Sequence, residues 1–205
     1  YDFELNPRPQ LATAWSVSED GLQYRFELRR NVKWHDGQPF TAADVVYSIG
    51  LLKSAHPRGR TTFANLLESG AVDEHTVVLK LSKPAPYLLY ALAAGESPIV
   101  PRHIYDGKGD PLQNPNNRAP VGTGPFVFKE WVLGNYVGYV RNPNYWDSPK
   151  PYLDALLVRV IPDGAARAVA FETGELDLGG STPVSPLDLE RFRSLPHLGQ
   201  ETRGY

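Results

Sequence analysis

Alternating apolar and polar positions predict several short antiparallel strands. In residues 24–28, YRFEL, apolar side chains recur at every second position, as in a strand that buries one face. Residues 11–17 precede this segment, and the sequence Ser18-Glu19-Asp20-Gly21 between the two is typical of a β-hairpin turn. The same pattern predicts hairpins formed by 71–73 with 76–81 and by 126–131 with 136–140, and strands at 153–161, 176–178 and 198–202.

A helical period is clearest in residues 42–54, where apolar side chains recur on one stripe at Val45, Ile49 and Leu52. The sequence Thr41-Ala42-Ala43-Asp44 places a hydroxyl at the N-cap and a carboxylate three residues later, which is a capping box with Asp in place of Glu. Together these features predict a helix that begins at Ala42. Shorter helices are predicted at 62–68, 84–94, 102–105, 164–173 and 185–194.

Turn-forming residues divide the chain into many short elements. Segment 106–120 is polar and rich in Gly, Pro and Asn, so we predict that it is a linker. Segment 31–40 is too interrupted by Gly and Pro for a regular element, and we expect Trp34 to anchor this loop to the core. All four tryptophans are predicted to serve packing.

Composition excludes several functional classes. The 205 residues are 41% hydrophobic and 21% charged, which is ordinary for a soluble globular fold of one large or two small domains. The formal net charge of -2 and the absence of a Lys/Arg cluster argue against nucleic acid as a partner. The chain contains no cysteine, which excludes disulfides and thiolate metal sites. It also contains no apolar run long enough to span a membrane.

Motifs that could carry chemistry have structural interpretations that we prefer. Neighbouring side chains on an extended chain point apart, so His35-Asp36 is interpreted as part of a turn and not as a catalytic dyad. The five histidines, at 35, 56, 75, 103 and 197, lack the spacing of a zinc site.

Two further motifs have similarly simple interpretations. Gly122-Thr123-Gly124-Pro125 lacks the Lys-Ser/Thr pair of a P-loop and is predicted to be a tight entry into a strand. The carboxylates of Glu172, Glu175 and Asp177, around the end of a predicted helix, are expected to be solvated. We therefore predict no catalytic residue, no metal site and no cofactor, and hence that the protein is not an enzyme.

Three blocks of sequence resemble, in the same order, one protein family. The first is 11–52, LATAWSVSEDGLQYRFELRRNVKWHDGQPFTAADVVYSIGLL. The second combines VGTGPFVF at 121–128 with RNPNYW at 141–146, and the third is IPDGAARAVAFETGELDL at 161–178. These blocks resemble family 5 of the extracytoplasmic solute-binding proteins, which supply peptide and nickel ABC transporters.

The resemblance implies a mixed α/β (α+β) fold of the periplasmic-binding-protein type II class. Residues 1–14 would form the edge of a main lobe, 15–118 a small inserted α+β domain, and 119–205 a further part of the main lobe. Family members are usually much longer, so the chain is expected to be a fragment that lacks the start of the first lobe and the C-terminal lobe.

The function implied by the resemblance is capture of a peptide or a related small solute by lobe closure, followed by delivery to an ABC permease. The protein would be a monomer in the periplasm, or lipid-anchored outside the cytoplasmic membrane. Segments 60–63 and 95–98 are the candidates for the cleft wall. Arg60 would pair with a ligand carboxylate and Phe63 would cover an apolar group, while Glu96 and Ser97 would accept an amine or another donor.

Alternatives remain open at this point. The ligand could be an oligopeptide, a dipeptide, a nickel complex or another solute. The same domain also occurs in sensory or regulatory proteins, and a hydrolase of peptides or glycans is a third possibility, although we find no nucleophile or acid pair for it. A chain with only one wall of a cleft should not bind a peptide with high affinity.

Overall fold

The computed structural model describes residues 2, 4, 6–92, 95–179, 184–185 and 188–199. The chain divides into two compact units, the first comprising 1–131 and 138–156 and the second comprising 132–137 and 157–205. This division differs from the predicted boundary between residues 118 and 119. The assignment of the three predicted segments to lobes stays a prediction.

The first unit is built on a four-stranded antiparallel sheet. Its strands are β1 (Ala12–Val17), β2 (Gln23–Leu28), β3 (Leu66–Asp73) and β4 (Thr76–Leu81), in the order β1-β2-β4-β3. Both hairpins predicted in this part of the chain are confirmed, and the second is longer than expected because β3 begins at Leu66.

The predicted alternation places one face of β2 in the hydrophobic core. Tyr24, Phe26 and Leu28 are buried, and the residues between them are not. Tyr24 lies opposite Leu79 and Phe26 opposite Val77, so apolar side chains of neighbouring strands meet on the same face. Burial of each such side chain contributes roughly 1.5–3 kcal/mol, which makes this face the main stabilising feature of the first unit.

The long helix α1 (Ala42–Ala55) confirms the predicted helix and its cap. The backbone N–H of Thr41 donates to Asp44 Oδ2 at 2.8 Å, which is half of the capping box. Ile49 and Leu52 belong to the same core as the sheet. Trp34 is also part of that core, so the prediction that it anchors the loop before the helix is confirmed.

The helix predicted at 62–68 is wrong. The chain forms only one turn, α2 (Gly59–Thr62), and is already in strand β3 at Leu66. Leu66 pairs with Leu81 and is 6% exposed, whereas its neighbour Leu67 is 71% exposed. Pairing with β4 therefore decides the conformation of this segment over its local apolar pattern.

Two other elements differ from the prediction in the first unit. The helix predicted at 84–94 is reduced to one turn, α3 (Leu88–Ala91), whereas α4 (Arg102–Tyr105) agrees with its prediction. Segment 106–120 is not a plain linker, because it forms 3-10 turns at Pro111–Gln113 and Pro115–Asn117. The Tyr105 hydroxyl donates to Asn117 Oδ1 at 3.1 Å and fixes the second turn.

A three-stranded sheet follows along the chain. Its strands are β5 (Phe126–Val132), β6 (Tyr136–Arg141) and β7 (Ala155–Arg159), in the order β5-β6-β7. The predicted hairpin and the predicted single strand are both confirmed, although β7 is shorter than 153–161.

The second unit has its own small core. Helices α5 (Gly164–Glu172) and α6 (Leu189–Arg193) contribute Phe171 and Phe192, whose rings pack edge to face with centroids 6.4 Å apart. Asp163 caps α5 by accepting from the Ala166 N–H at 2.7 Å.

Three predictions concern the end of the chain. No strand forms at 176–178, so that prediction is wrong. The helix predicted at 185–194 is present from residue 189, while residues 186 and 187 and most of the strand predicted at 198–202 lie outside the described residues. None of the helices in the described part of the chain is long and apolar enough to cross a membrane.

Candidate ligand-binding surface

The two segments predicted to line a cleft lie next to each other in the first unit. The Arg58 guanidinium forms an ion pair with the Glu96 carboxylate, which joins the segment around α2 to segment 95–98. The Tyr87 hydroxyl donates to the Thr62 carbonyl at 3.3 Å, so the residue preceding α3 is joined to α2 as well. Residues far apart in sequence thus form one surface.

The four predicted contact residues differ in what they present to solvent. Arg60 is exposed on α2, and the Glu96 side chain is 40% exposed beside Arg58. Phe63 is 1% exposed and belongs to the core, whereas Ser97 is 4% exposed and its hydroxyl donates to the Ala91 carbonyl at 2.6 Å. In this conformation only Arg60 and Glu96 offer charged groups to a ligand. A ligand role for any of the four stays a prediction.

A predominantly apolar cavity of about 650 Å³ opens in the same unit. Part of its lining is formed by Ser97, Pro98 and Ile99, which follow Glu96 in the sequence. Its volume lies in the range of ligand pockets, but hydrophobic voids of this size also receive neighbouring protein segments. Its other half-buried apolar lining residues include Leu11, Trp15, Val45, Leu89, Leu92 and Trp146.

The aromatic residues at this cavity are held by their neighbours. Arg29 stacks on the Trp146 ring with 4.1 Å between its guanidinium carbon and the ring centroid, a cation–π contact. Burial raises the pKa of the adjacent Tyr145, which also lines the cavity. The prediction that all tryptophans serve packing is wrong for Trp131, which is 46% exposed. No local motif could have indicated the cavity, because its walls come from separate elements.

The first two family-like sequence blocks meet at one loop. His35 Nε2 lies 3.0 Å from the Gly124 carbonyl oxygen, and the Asn142 side-chain amide donates to the same oxygen at 2.9 Å. The Asp36 carboxylate instead contacts His103 Nε2 at 2.6 Å. His35 and Asp36 thus have different partners, as expected for neighbours on an extended chain. Both the histidine and the glycine-rich loop have structural roles here.

The carboxylate of Asp44 joins two further segments to α1. It is buried, and besides the Thr41 N–H it accepts from the Trp34 indole at 3.3 Å and from the Arg102 N–H, the first residue of α4, at 2.9 Å. Sequence reasoning found the cap but missed the other two donors, since neither lies at a characteristic spacing. Asp44 therefore positions α4 and the Trp34 loop against α1.

The acidic residues of the second unit do not resemble a catalytic pair. Glu172 forms an ion pair with Arg191 at 2.7 Å, and Glu175 forms one with Arg159 at 2.9 Å. Each carboxylate thus has its own arginine at the surface. Across the part of the chain that the structure describes, no group of three or more His, Cys, Asp or Glu residues could hold a metal ion.

Comparison with protein families gives one match that extends over nearly the entire chain. The family described as "Bacterial extracellular solute-binding proteins, family 5 Middle" matches residues 6–204. The oligopeptide-binding protein AppA of Bacillus subtilis is 32% identical over 199 residues, which cover 95% of this chain and 36% of AppA.

Solved structures show the same relationship. The structure of AppA from Bacillus subtilis in complex with a nonapeptide is similar with a TM-score of 0.84 and 29% identity, over 95% of this chain and 39% of that one. NikZ from Campylobacter jejuni in complex with Ni(L-His) is similar with a TM-score of 0.79 and 29% identity, over 91% of this chain and 37% of NikZ. The chain spans little more than a third of the length of these relatives.

Proposed function

Because the chain belongs to family 5 of the bacterial extracellular solute-binding proteins, we propose that it forms part of the substrate-binding component of an ABC transporter. The family resemblance and the mixed α/β fold of the periplasmic-binding-protein type II class are both confirmed. The proposed ligand is a peptide or a related small solute, the proposed partner is an ABC permease, and the proposed location is outside the cytoplasmic membrane.

One observation supports placing the ligand at this surface. The Arg58–Glu96 ion pair holds segments 58–63 and 95–98 together, and Arg60 adds a further exposed charged group at this edge of the first unit. An exposed guanidinium can bind a ligand carboxylate with two hydrogen bonds, and a carboxylate can bind an amine. A peptide with free termini carries both groups. Phe63 and Ser97, which are buried, would support this edge from within the core.

The mechanism we propose is capture by closure and not chemistry. Clamshell receptors gain affinity by enclosing the ligand between two lobes and excluding water, and the closed form is then the one that a partner can recognise. The family consists of solute-binding proteins, and structural hydrogen bonds account for Asp44, His35 and Asn142 of the first unit. We propose accordingly that the protein is a monomeric binder without enzymatic activity.

The test uses the full-length protein that contains this chain and two forms of a nonapeptide library, with free and with amidated C-termini. If Arg60 binds the ligand carboxylate, amidation should weaken binding to the unaltered protein by about tenfold or more, which is about 1.4 kcal/mol. Arg60→Ala should bind both forms equally weakly, because the partner of the carboxylate is gone. Isothermal titration calorimetry measures both affinities.

The exposed Arg30, on the turn after β2, provides a matched control. Arg30→Ala should retain the full preference for the free C-terminus. The same comparison, made with N-acetylated peptides and Glu96→Gln, tests whether Glu96 binds the ligand amine. If the Arg60→Ala protein still binds the free peptides more tightly than the amidated ones, Arg60 does not bind the ligand carboxylate. If neither library nor a Ni(II)–histidine complex binds the full-length protein, the proposed function itself is wrong.

A further inference from the structure

His35 is held between two backbone groups of the glycine-rich loop 122–125. Its Nδ1 atom lies 3.1 Å from the Gly122 nitrogen, whose N–H points at it, and its Nε2 atom lies 3.0 Å from the Gly124 carbonyl oxygen. Its own backbone N–H donates to the Gly122 carbonyl at 2.8 Å. The imidazole therefore bridges a donor and an acceptor of the same loop.

This arrangement is satisfied by one protonation form of the imidazole. Gly122 can donate only if Nδ1 keeps its lone pair, and the Gly124 carbonyl can accept only if Nε2 carries a hydrogen. The neutral form protonated at Nε2 meets both conditions. A second proton would place an N–H at Nδ1 directly against the Gly122 N–H, and the hydrogen bond would be replaced by a repulsive contact.

The fit around the imidazole leaves little room for an alternative arrangement. A Cβ atom on Gly122 would lie 3.3 Å from His35 Cε1, which is tighter than nearly all such contacts, so glycine permits the close approach. The other end of the loop is tied to Asn142, whose N–H donates to the Pro125 carbonyl at 2.8 Å. His35 thus secures the beginning of the loop, and Asn142 secures its end.

The sequence neighbours of His35 and of loop 122–125 carry few titratable side chains. Asp36 follows it on the same turn, where its carboxylate contacts His103 of α4. Segment 121–125 contains no titratable side chain, and Asn142 is neutral. Tyr145, on the segment that follows Asn142, is neutral in the pH range where histidine titrates, and burial raises its pKa further. His35 is half-buried, so solvent protons can reach it.

We propose that His35 is a proton-controlled latch, which holds loop 122–125 against the His35 turn when neutral and releases the start of the loop when protonated. Thr123, Gly124 and Pro125 line the apolar cavity, so release would loosen one rim of it. Proteins outside the cytoplasm meet the pH of their surroundings, and histidine is the side chain whose ordinary titration falls between about pH 5 and 8. The latch would therefore make this part of the receptor responsive to mild acid.

The experiment is hydrogen exchange of the Gly122 amide by NMR, at about pH 7.5 and about pH 5 and corrected for intrinsic exchange rates. We expect the protection of Gly122 to fall by at least about fivefold on acidification, while the Leu79 amide of β4 stays protected. His35→Gln supplies an amide oxygen and an amide N–H that cannot be protonated in this range. This variant should keep part of the protection and lose its pH dependence.

His103→Gln is the matched control, because it alters the neighbouring histidine that contacts Asp36 and not the loop. It should respond to pH like the unaltered protein. The proposal is overturned if Gly122 protection in the unaltered protein is independent of pH, if His35→Gln shows the same fall, or if His103→Gln abolishes the fall.

If His35→Gln does not fold, the imidazole ¹⁵N chemical shifts of the unaltered protein report the protonation of His35 independently. The latch requires an unprotonated Nδ1 and a protonated Nε2 at the higher pH. It also requires that Nδ1 becomes protonated over the same pH range in which the Gly122 amide loses its protection. Protonation of Nδ1 already at the higher pH would also overturn it.

Discussion

The side chains of His35 and Asn142 meet at a single atom, the carbonyl oxygen of Gly124, although they belong to different blocks of the sequence. The carbonyl has two lone pairs and can accept from both donors. His35 lies in the first block and Gly124 and Asn142 lie in the second, so this junction joins the first two blocks. The blocks identify the scaffold, and the candidate ligand contacts lie elsewhere.

Asn142 should contribute measurably to stability. It is 6% exposed, and Asn142→Ala would remove the amide that donates to Gly124 and the oxygen that accepts from the Asn144 N–H at 2.9 Å. We expect a loss of about 1–3 kcal/mol in the free energy of unfolding, measured by urea denaturation. Asn144→Ala, on the same turn but exposed, should change it by less than about 0.5 kcal/mol. Equal effects of the two substitutions would argue against the junction.

Strand β3, which forms where a helix was predicted, can be tested by substitutions of two adjacent leucines. Leu66 is buried opposite Leu81, so Leu66→Ala should cost about 2–5 kcal/mol of unfolding free energy. Leu67→Ala should be nearly neutral, since its side chain is exposed. A helix at 62–68 with Phe63, Leu66 and Leu67 on one apolar stripe would bury both leucines and give losses of similar size. Chemical denaturation of the two variants decides between the structures.

Local sequence patterns predicted the elements whose stabilising contacts are close in sequence. The β1–β2 hairpin and α1 were predicted because turn residues, alternation and the Thr41 cap lie within the segments themselves. The segment at Leu66 could not be predicted, because its conformation depends on pairing with β4. The candidate site could likewise be predicted only in part, because some of its contacts join residues far apart in sequence. Sequence resemblance named Arg60 and Glu96, but the Arg58 contact that joins their segments and the burial of Phe63 emerged only from tertiary structure.

Asp44 should be among the most sensitive positions of the first unit. Asp44→Ala would leave the Thr41 N–H, the Arg102 N–H and the Trp34 indole without an acceptor in a buried site. We expect a loss of about 3 kcal/mol or more in unfolding free energy, because unsatisfied buried donors retain their desolvation cost. Asp20→Ala, which affects an exposed turn carboxylate, should cost no more than about 1 kcal/mol. Similar losses for both would contradict a joining role for Asp44.

Asp73 should make stability depend on acid pH. The hydrogen bond from the His75 N–H, at 2.7 Å, holds the pKa of Asp73 below its usual value. A carboxylate with a lowered folded-state pKa stabilises the fold above its unfolded-state pKa of about 3.9, and the contribution disappears as the pH falls through the folded-state value.

Asp73→Asn should therefore be less stable than the unaltered protein at neutral pH and equally stable in strong acid. Thermal unfolding across that range measures the difference. Glu74→Gln, on the same turn, serves as the control and should not show this pH-dependent gap. A gap that persists unchanged in strong acid would show that the charge of Asp73 is not its cause.

The central claim is that this chain supplies one wall of a binding site that a second lobe must close. Isothermal titration calorimetry of the nonapeptide library, with the 205-residue chain and with the full-length protein side by side, tests it most directly. We expect a clear binding isotherm for the full-length protein and no submicromolar binding by the 205 residues alone, because one wall cannot exclude water from the ligand. Submicromolar binding by the isolated chain, as tight as that of the full-length protein, would contradict it.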